Sequence, residues 1–292
     1  MLSICIPTYN RYRFLEWTLA RLERDFPHAE IIVSDNASDD FTAHMNAYPA
    51  RLIHQRENIG PFPNMLAALK MATSKYAVYC ADDDYLLPDQ VAIGIEYLEN
   101  HPKVAAYCAP CEIWDEVENS PYWNAFKVEH ERLYGERDGM DLFNFIIGGH
   151  IWPEHFIYRV PVPIEPRTRA YWAFADLPSL IRSGGVYVAR TPFYRNLLTH
   201  PMGDRVQLGN VQCLTLFDEY RAGLEVLACE LFGNSLPYAL RHQLQEMIQA
   251  FICTRIAVAR SLYLNAGDTQ SADMLAKRLC IADPRRDLGV AA

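Results

Sequence analysis

No stretch of this 292-residue sequence approaches the roughly 18–20 continuous apolar residues that a membrane-spanning helix needs. The opening Met1-Leu2-Ser3-Ile4-Cys5-Ile6-Pro7 lacks the basic start and long apolar core of a secretory signal. It reads as a strand that begins almost at once. Cations are in the minority: 27 Lys and Arg stand against 36 Asp and Glu, a net charge of −9. A domain built to hold a nucleic-acid backbone carries the opposite balance, so no nucleic-acid partner is expected. Repeats of fixed period and low-complexity tracts are absent too. With 50% apolar and 22% charged residues, disorder is excluded for the bulk of the chain. The one Cys-x-x-Cys, Cys108-Ala109-Pro110-Cys111, has no second pair and no clustered His, so the four ligands of a zinc site are lacking. The eight cysteines read as buried thiols of a reducing compartment.

What is present is an alternation. Leu2–Ile6, Glu30–Ser34, Arg51–Gln55, Tyr76–Ala81 and Val104–Cys108 are short apolar runs with abrupt polar ends, which predict strands. Leu15, Leu19 and Leu22 recur at helical spacing, with Asn10 as the expected N-cap. A second helix is expected over about Pro63 to Ala72, and a third after Pro88, a residue suited to a first turn. Further on, the pattern predicts a helix over Gly139–Ile147, a strand at His155–Arg159, a helix over Ala173–Arg182 and a strand pair or β-arm over Gly185–Arg195. From about Asp204 only helices are expected, at 205–231, 235–264 and 268–281, the last capped by Asp268. Strand–helix alternation of this kind predicts an α/β fold, a mostly parallel sheet with helices on both faces, followed by an all-helical C-terminal extension. In such sheets ligands bind beyond the carboxyl ends of the strands.

Those strand ends hold the polar residues. Asp82-Asp83-Asp84 follows the fourth strand. Three adjacent carboxylates repel, and a hard divalent cation relieves that. A solvated acidic turn ahead of a helix explains them as well, and both readings stay open at this level. Asp35 leaves the second strand, where it could accept hydrogen bonds from a nucleobase or a ribose. Ser38 and Asp39 behind it suit a turn and a cap. Pro7-Thr8-Tyr9-Asn10-Arg11 follows the first strand, Pro7 ending the ladder and Tyr9 offering a face for stacking. Arg56-Glu57-Asn58-Ile59-Gly60 and Asn64 follow the third.

Taken together in this order, Ser3–Asn10, Ile32–Asp39, Asn58-Ile59-Gly60 and Tyr79–Pro88 resemble the family 2 glycosyltransferases, which have the GT-A fold (a Rossmann-like architecture). The resemblance covers residues 1–110 well and 150–200 loosely. It implies a GT-A domain over 1–203, with a nucleotide-sugar-binding half at 1–110 and an acceptor half at 111–203, and a helical extension at 204–292. It implies that Pro7, Tyr9, Asn10, Asp35, Asn58, Asp82 and Asp83 grip the donor nucleotide. It puts Mn²⁺ or Mg²⁺ on Asp84, with Asp82 on the donor ribose or on the metal shell. The family often has one more Asp where this chain has Ala81. The catalytic base maps to Asp176, where Ala175 replaces the family's usual Glu; a plain helix N-cap is the competing account, and Asp115 and Glu116 are reserve candidates. Arg195, His200 and Arg205 are implied loosely at the diphosphate.

The activity so implied is metal-dependent, inverting transfer of a single sugar from a UDP-, dTDP- or GDP-linked donor to a hydroxyl of a glycan or lipid-linked acceptor. The Gln-x-x-Arg-Trp sequence of processive synthases is missing. Bacterial surface-polysaccharide synthesis is the usual setting, in the cytoplasm or at the inner face of the cell membrane. The helical extension suits core and homodimer packing, with peripheral membrane contact as the lesser role. Two alternatives are kept: a non-catalytic nucleotide-sugar or carbohydrate-binding module, and a sugar-phosphate nucleotidylyltransferase. The Gly-rich phosphate loop of the latter is not found in Thr8-Tyr9-Asn10-Arg11.

Overall fold

The computed structural model describes residues 1–39, 49–149, 155–164, 170–203 and 217–282. The first strand, β1 (Leu2–Thr8), is buried along its length. Leu2, Ile4 and Ile6 point to one face and Cys5 to the other. β2 (Glu30–Asp35) lies parallel beside it, then β3 (Ala50–His54), while β4 (Tyr76–Tyr79) pairs parallel on the other side. Helix α1 (Tyr12–Asp25) lays Leu15, Leu19 and Leu22 against Ile4, Ile6 and Val33. Each such buried side chain contributes about 2 kcal/mol. α2 (Pro61–Lys70) packs on β1 and β2, and the Tyr79 hydroxyl donates to the Met65 carbonyl. α3 (Pro88–Asn100) buries Val91 and Leu98 in the same core as α1.

The remaining strands are β5 (Tyr85–Leu86), β6 (Ala106–Cys108), β7 (Cys111–Asp115), β8 (Ser120–Asn124), β9 (Arg132–Tyr134), β10 (Phe156–Arg159), β11 (Val186–Val188) and β12 (Tyr194–Thr199). They complete an eight-stranded sheet of order β3-β2-β1-β4-β10-β6-β11-β9 and a four-stranded sheet of order β5-β12-β7-β8. β10 runs antiparallel between β4 and β6, so the larger sheet is mixed beyond its first four strands. Helices α4 (Gly139–Gly149), α5 (Trp172–Ala175) and α6 (Leu177–Arg182) precede α7 (Phe217–Phe232), α8 (Tyr238–Asn265) and α9 (Thr269–Ala282). The chain forms two compact units, Met1–Pro166 with Asp176–Val206, and Arg167–Ala175 with Gln207–Ala292.

Several expectations need correction. Pro7 does not end the β1 ladder, which runs to Thr8. The Thr8 carbonyl faces β2, since it accepts from Asn36 N, so the missing N–H of Pro7 faces the β4 side, where β1–β4 pairing stops at Cys5. Asn10 is not the cap of α1. It stands two residues before the helix at φ 51°, a left-handed conformation that Asn tolerates, and Arg11 occupies the cap position. α2 begins two residues before the expected Pro63, after Gly60 at φ 87°. The helix expected over 173–182 breaks at Asp176, because Pro178 has no N–H for a continuous helix and instead sits in the first turn of a new one. The β-arm expected over 185–195 is not an arm: β11 joins the larger sheet and β12 the smaller. The first C-terminal helix is described from Phe217; residues 205–216 lie outside the described residues. Asp268 does cap α9, accepting from Ser271 N at 3.0 Å. α8 is long and apolar enough to cross a membrane by length and composition, with a mean hydropathy of 1.3 over its most apolar window, one third of it buried.

His155 is 1% exposed and packs edge-on against Phe126. Burial pushes its imidazole down to about 3. Between that value and the ordinary one, the unfolded chain binds a proton that the folded chain refuses. Stability is therefore full above pH 6.5 and falls as pH drops below it. Urea unfolding at pH 7 and pH 4 is expected to show a loss on the order of 3 kcal/mol from this residue. His155→Gln should flatten that difference, and an unchanged slope in the variant would assign the acid limb to other groups.

Candidate active site

Parallel register brings Thr8 of β1, Asp35 of β2 and His54 of β3 into one row at the carboxyl edge of the sheet. β4 ends beside them. Cys80 N donates to the Cys5 carbonyl, and the next four residues turn across the edge of β1. Asp82, Asp83 and Asp84 are all buried, at 3%, 5% and 3% exposure. A solvated acidic turn is therefore not what the fold contains.

The three carboxylates have different partners. Asp82 Oδ2 accepts from the Thr8 hydroxyl at 2.7 Å, and its backbone carbonyl accepts from the Thr18 hydroxyl. Arg11 places Nη1 3.2 Å from Asp82 Oδ1 and pairs through Nη2 with Asp83. Asp84 turns to the other sheet for its partners. Its Oδ2 accepts from the Tyr194 hydroxyl at 2.8 Å and from Asn196 Nδ2 at 3.0 Å, and its Oδ1 from Leu197 N at 2.9 Å. The same Tyr194 oxygen accepts from Ala81 N at 3.0 Å. Asp84 thus ties the end of β4 to β12. Burial pushes the Asp82 carboxyl up to about 7; Arg11 and the Thr8 hydroxyl oppose the rise, and Asp83 and Asp84 add to it.

Asp84, the expected ligand, has its oxygens engaged by three donors, whereas Asp82 and Asp83 face a cation. Among the described residues no group of three or more His, Cys, Asp or Glu is arranged to hold a metal ion. A closed protein cage is not present there. Two carboxylates plus substrate phosphates is, however, a common way to hold Mg²⁺ or Mn²⁺, and Asp82 with Asp83 fits that arrangement.

At the other end of the row, Asp35 is 2% exposed. It accepts from Ser38 N at 3.1 Å and from the Ser38 hydroxyl, and His54 Nδ1 lies 2.6 Å from Oδ2. Ser38 in turn accepts from Asn10 N, and Asn10 Oδ1 accepts from Asp39 N, so the first and second loops are locked together. Asn58 Oδ1 accepts from Asn36 Nδ2 and Gly60 N, and Asn36 Oδ1 from Ile59 N. Asn64 Nδ2 donates to the Ser34 carbonyl. Asn10 and Asn58 thus build the loops around the edge. Pro7 and Tyr9 are half-buried in the same place.

The remaining candidates divide. Asp176 is 2% exposed and stands at the cap position of α6, yet its carboxylate makes no capping hydrogen bond. The plain N-cap account therefore does not hold. Asp115 is a structural hub, accepting from Val117 N, Glu118 N and the Thr199 and Tyr122 hydroxyls. These bonds, the Glu118 N–H first, hold its carboxyl down at about 2. Glu116 pairs with Arg21. Arg195 is neutralised by Glu112 at 2.6 Å and lies 3.6 Å over the Trp114 ring, so it is committed to β7. His200 is buried against Phe14 and Trp17 of α1, with Nδ1 accepting from Met202 N. Arg205 lies outside the described residues. The seven cysteines described form no disulfide; Cys229 and Cys280 are exposed, against the expectation of buried thiols, and burial raises the Cys108 thiol far above its usual value. Sequence reasoning gave no role to Arg11, His54 or Asn196, and took Tyr194 only loosely, with Arg195 and His200, as part of a polar patch near the diphosphate. Arg11 and His54 sat at predicted strand ends and were open to discovery there; the bonds of Tyr194 and Asn196 to Asp84 carried no signal before β12 was placed.

Residues 3–162 match the model of glycosyl transferase family 2. The abequosyltransferase RfbV of Salmonella typhimurium (strain LT2) is 37% identical over 114 residues, 36% of this chain and 34% of that protein. The match thus spans about a third of the curated relative's length. Among solved structures, residues 1–349 of TarS from S. aureus, in complex with UDP-GlcNAc, superpose with a TM-score of 0.53 at 14% identity, covering 94% of this chain and 90% of that one. The mannosyltransferase PcManGT of Pyrobaculum calidifontis, in complex with GDP-Man and Mn²⁺, gives 0.53 at 16% identity, covering 97% and 81%. At these identities the structures attest the shared fold. The family model, matching more than half of the sequence, attests descent: the chain belongs to family 2 of the glycosyltransferases, enzymes that draw their sugar from a nucleotide donor.

Proposed function

We propose that this enzyme moves a single sugar from a nucleoside diphosphate donor to a hydroxyl of a glycan or lipid-linked acceptor, with inversion at the anomeric carbon. The observation that carries the reading is the buried Asp82–Asp83 pair at the carboxyl edge, facing a cation and bonded to the strand whose Thr8 aligns with Asp35. In this reading Asp35, with the loops braced by Asn10 and Asn58, holds the nucleoside, and Tyr9 stacks on the base. Asp82 and Asp83 would hold Mn²⁺ or Mg²⁺, whose chemistry there is neutralisation of charge on the leaving diphosphate. Asp176 accepts the acceptor hydroxyl proton as the new C–O bond forms and the bond to the diphosphate breaks. The RfbV match and the absence of a Gln-x-x-Arg-Trp sequence support one-sugar addition in bacterial surface-glycan assembly at the inner face of the cell membrane, by analogy of family.

A thermal-shift panel tests it. UDP, GDP, dTDP and CMP are each added with Mn²⁺, with Mg²⁺ and with EDTA. A ligand that binds only the folded state adds roughly 2.7 kcal/mol at 100 times its Kd, so one nucleotide should raise the melting temperature, and EDTA should cancel the rise. No shift with any nucleotide under any metal condition would refute the donor site.

A further inference from the structure

Arg11 has no place in the scheme above, yet it is the group that the acidic pair faces. Its position is set by the backbone. Asn10 turns through a left-handed conformation and Arg11 caps α1, so its side chain starts from a fixed point. The guanidinium spans both carboxylates, Nη1 toward Asp82 and Nη2 toward Asp83, and lies 5.1 Å from the centre of the Phe14 ring. The side chain is 17% exposed, enclosed but with a way out. Its Nε is buried with no hydrogen-bond partner among the described residues. A buried donor left unmade is unfavourable, so this seat does not satisfy the whole guanidinium.

We infer that Arg11 is a displaceable counter-ion that closes the Asp82–Asp83 site to a bare divalent cation and yields when the cation arrives with a diphosphate. The inference rests on the metal reading of Asp82 and Asp83 given above. A divalent ion that enters alone must expel an ion already paired with both carboxylates and leave that guanidinium without a partner. With a diphosphate present, the expelled guanidinium gains phosphate oxygens, which suit its planar fork and engage Nε as well. Arg11 thereby couples metal binding to diphosphate binding, and the coupling is reciprocal. Arg11 acts here as a positioning residue for the donor.

The test measures Mn²⁺ binding by electron paramagnetic resonance on the full chain, with Mn²⁺ alone and with added inorganic pyrophosphate. For the wild type, pyrophosphate is expected to tighten Mn²⁺ binding about tenfold or more, within the usual range of such couplings. Arg11→Met should bind Mn²⁺ alone about tenfold more tightly than the wild type and lose most of the pyrophosphate effect. Arg11→Gln replaces it if circular dichroism shows that the Met variant does not fold. Arg11→Lys keeps the charge and should leave binding of Mn²⁺ alone weak, a rescue that a purely structural role would not produce. Equal affinity for Mn²⁺ alone in the wild type and the Met or Gln variant would overturn the counter-ion. Tight binding of Mn²⁺ alone in the Lys variant would overturn it too. No Mn²⁺ binding in any of the proteins, with or without pyrophosphate, would overturn the metal reading itself, and the counter-ion with it.

Discussion

Asp84→Ala is expected to lower the melting temperature on the order of 10 °C, while Asp83→Asn leaves it nearly unchanged and abolishes the metal-dependent nucleotide shift. The two residues are adjacent and chemically identical, so the contrast isolates their surroundings. Removing the Asp84 carboxylate strands three donors, the Tyr194 hydroxyl, Asn196 Nδ2 and Leu197 N, in a region where Tyr194 and Leu197 are essentially inaccessible. Each stranded donor costs about 1–3 kcal/mol, and in a unit of this size each kcal/mol moves the melting temperature by roughly 2–4 °C. In Asp83→Asn the charge goes but the shape of the side chain stays. Its pair with Arg11 is relaxed in the variant, because Arg11 keeps Asp82. Melting curves with and without nucleotide and Mn²⁺ read both effects in one experiment. A stable Asp84→Ala protein that has lost only its metal-dependent shift would restore Asp84 as the ligand.

Asp176→Asn carries the second large expectation. General-base catalysis contributes about 10²–10⁴-fold. The variant should lose transfer by a factor in that range while the nucleotide still raises its melting temperature, because Asp176 is assigned to the acceptor and not to the donor. The isosteric amide keeps the shape of a residue that is 2% exposed and whose carboxylate does not cap α6. Turnover in Asp176→Asn within a few-fold of the wild type, measured with the donor that the shift panel identifies, would remove Asp176 as the base and leave the Ala175 substitution as a sign of a different proton acceptor.

How much of this was legible in the sequence depends on how far apart the interacting residues lie. β1, β2 and β4 each bury nearly every residue, and such strands announce themselves as unbroken apolar runs. Their polar ends then fall at the carboxyl edge by topology, so Asp35 and the Asp triplet were found. Division of labour within the triplet was not legible. Three like residues in a row carry no local distinction, and what separates Asp84 is a tether to residues 110 to 113 positions later. The same distance hid the fate of 185–195. Val186–Val188 and Tyr194–Thr199 look like the arms of one hairpin, but β6 captures the first and β7 the second. Asp115 failed as a reserve base for a similar reason, since Thr199 and Tyr122 are among the donors that engage it. Asn10 misled on another ground: Asn suits both a helix cap and a left-handed turn, and only the partner loop at Ser38 and Asp39 decides between them.

The Asp84 tether also bears on the order of events during synthesis. The strands β1 to β4, whose carboxyl ends form this edge, are complete once about the first hundred residues have been made, but the acidic turn is anchored by Tyr194, Asn196 and Leu197. A nascent chain therefore carries β1 to β4 well before it carries a finished acidic turn, and the last step waits for a contact of long sequence separation, the kind that forms slowly. A ribosome-released fragment ending near residue 110 would hold the carboxylates without the clamp that orders Asp84.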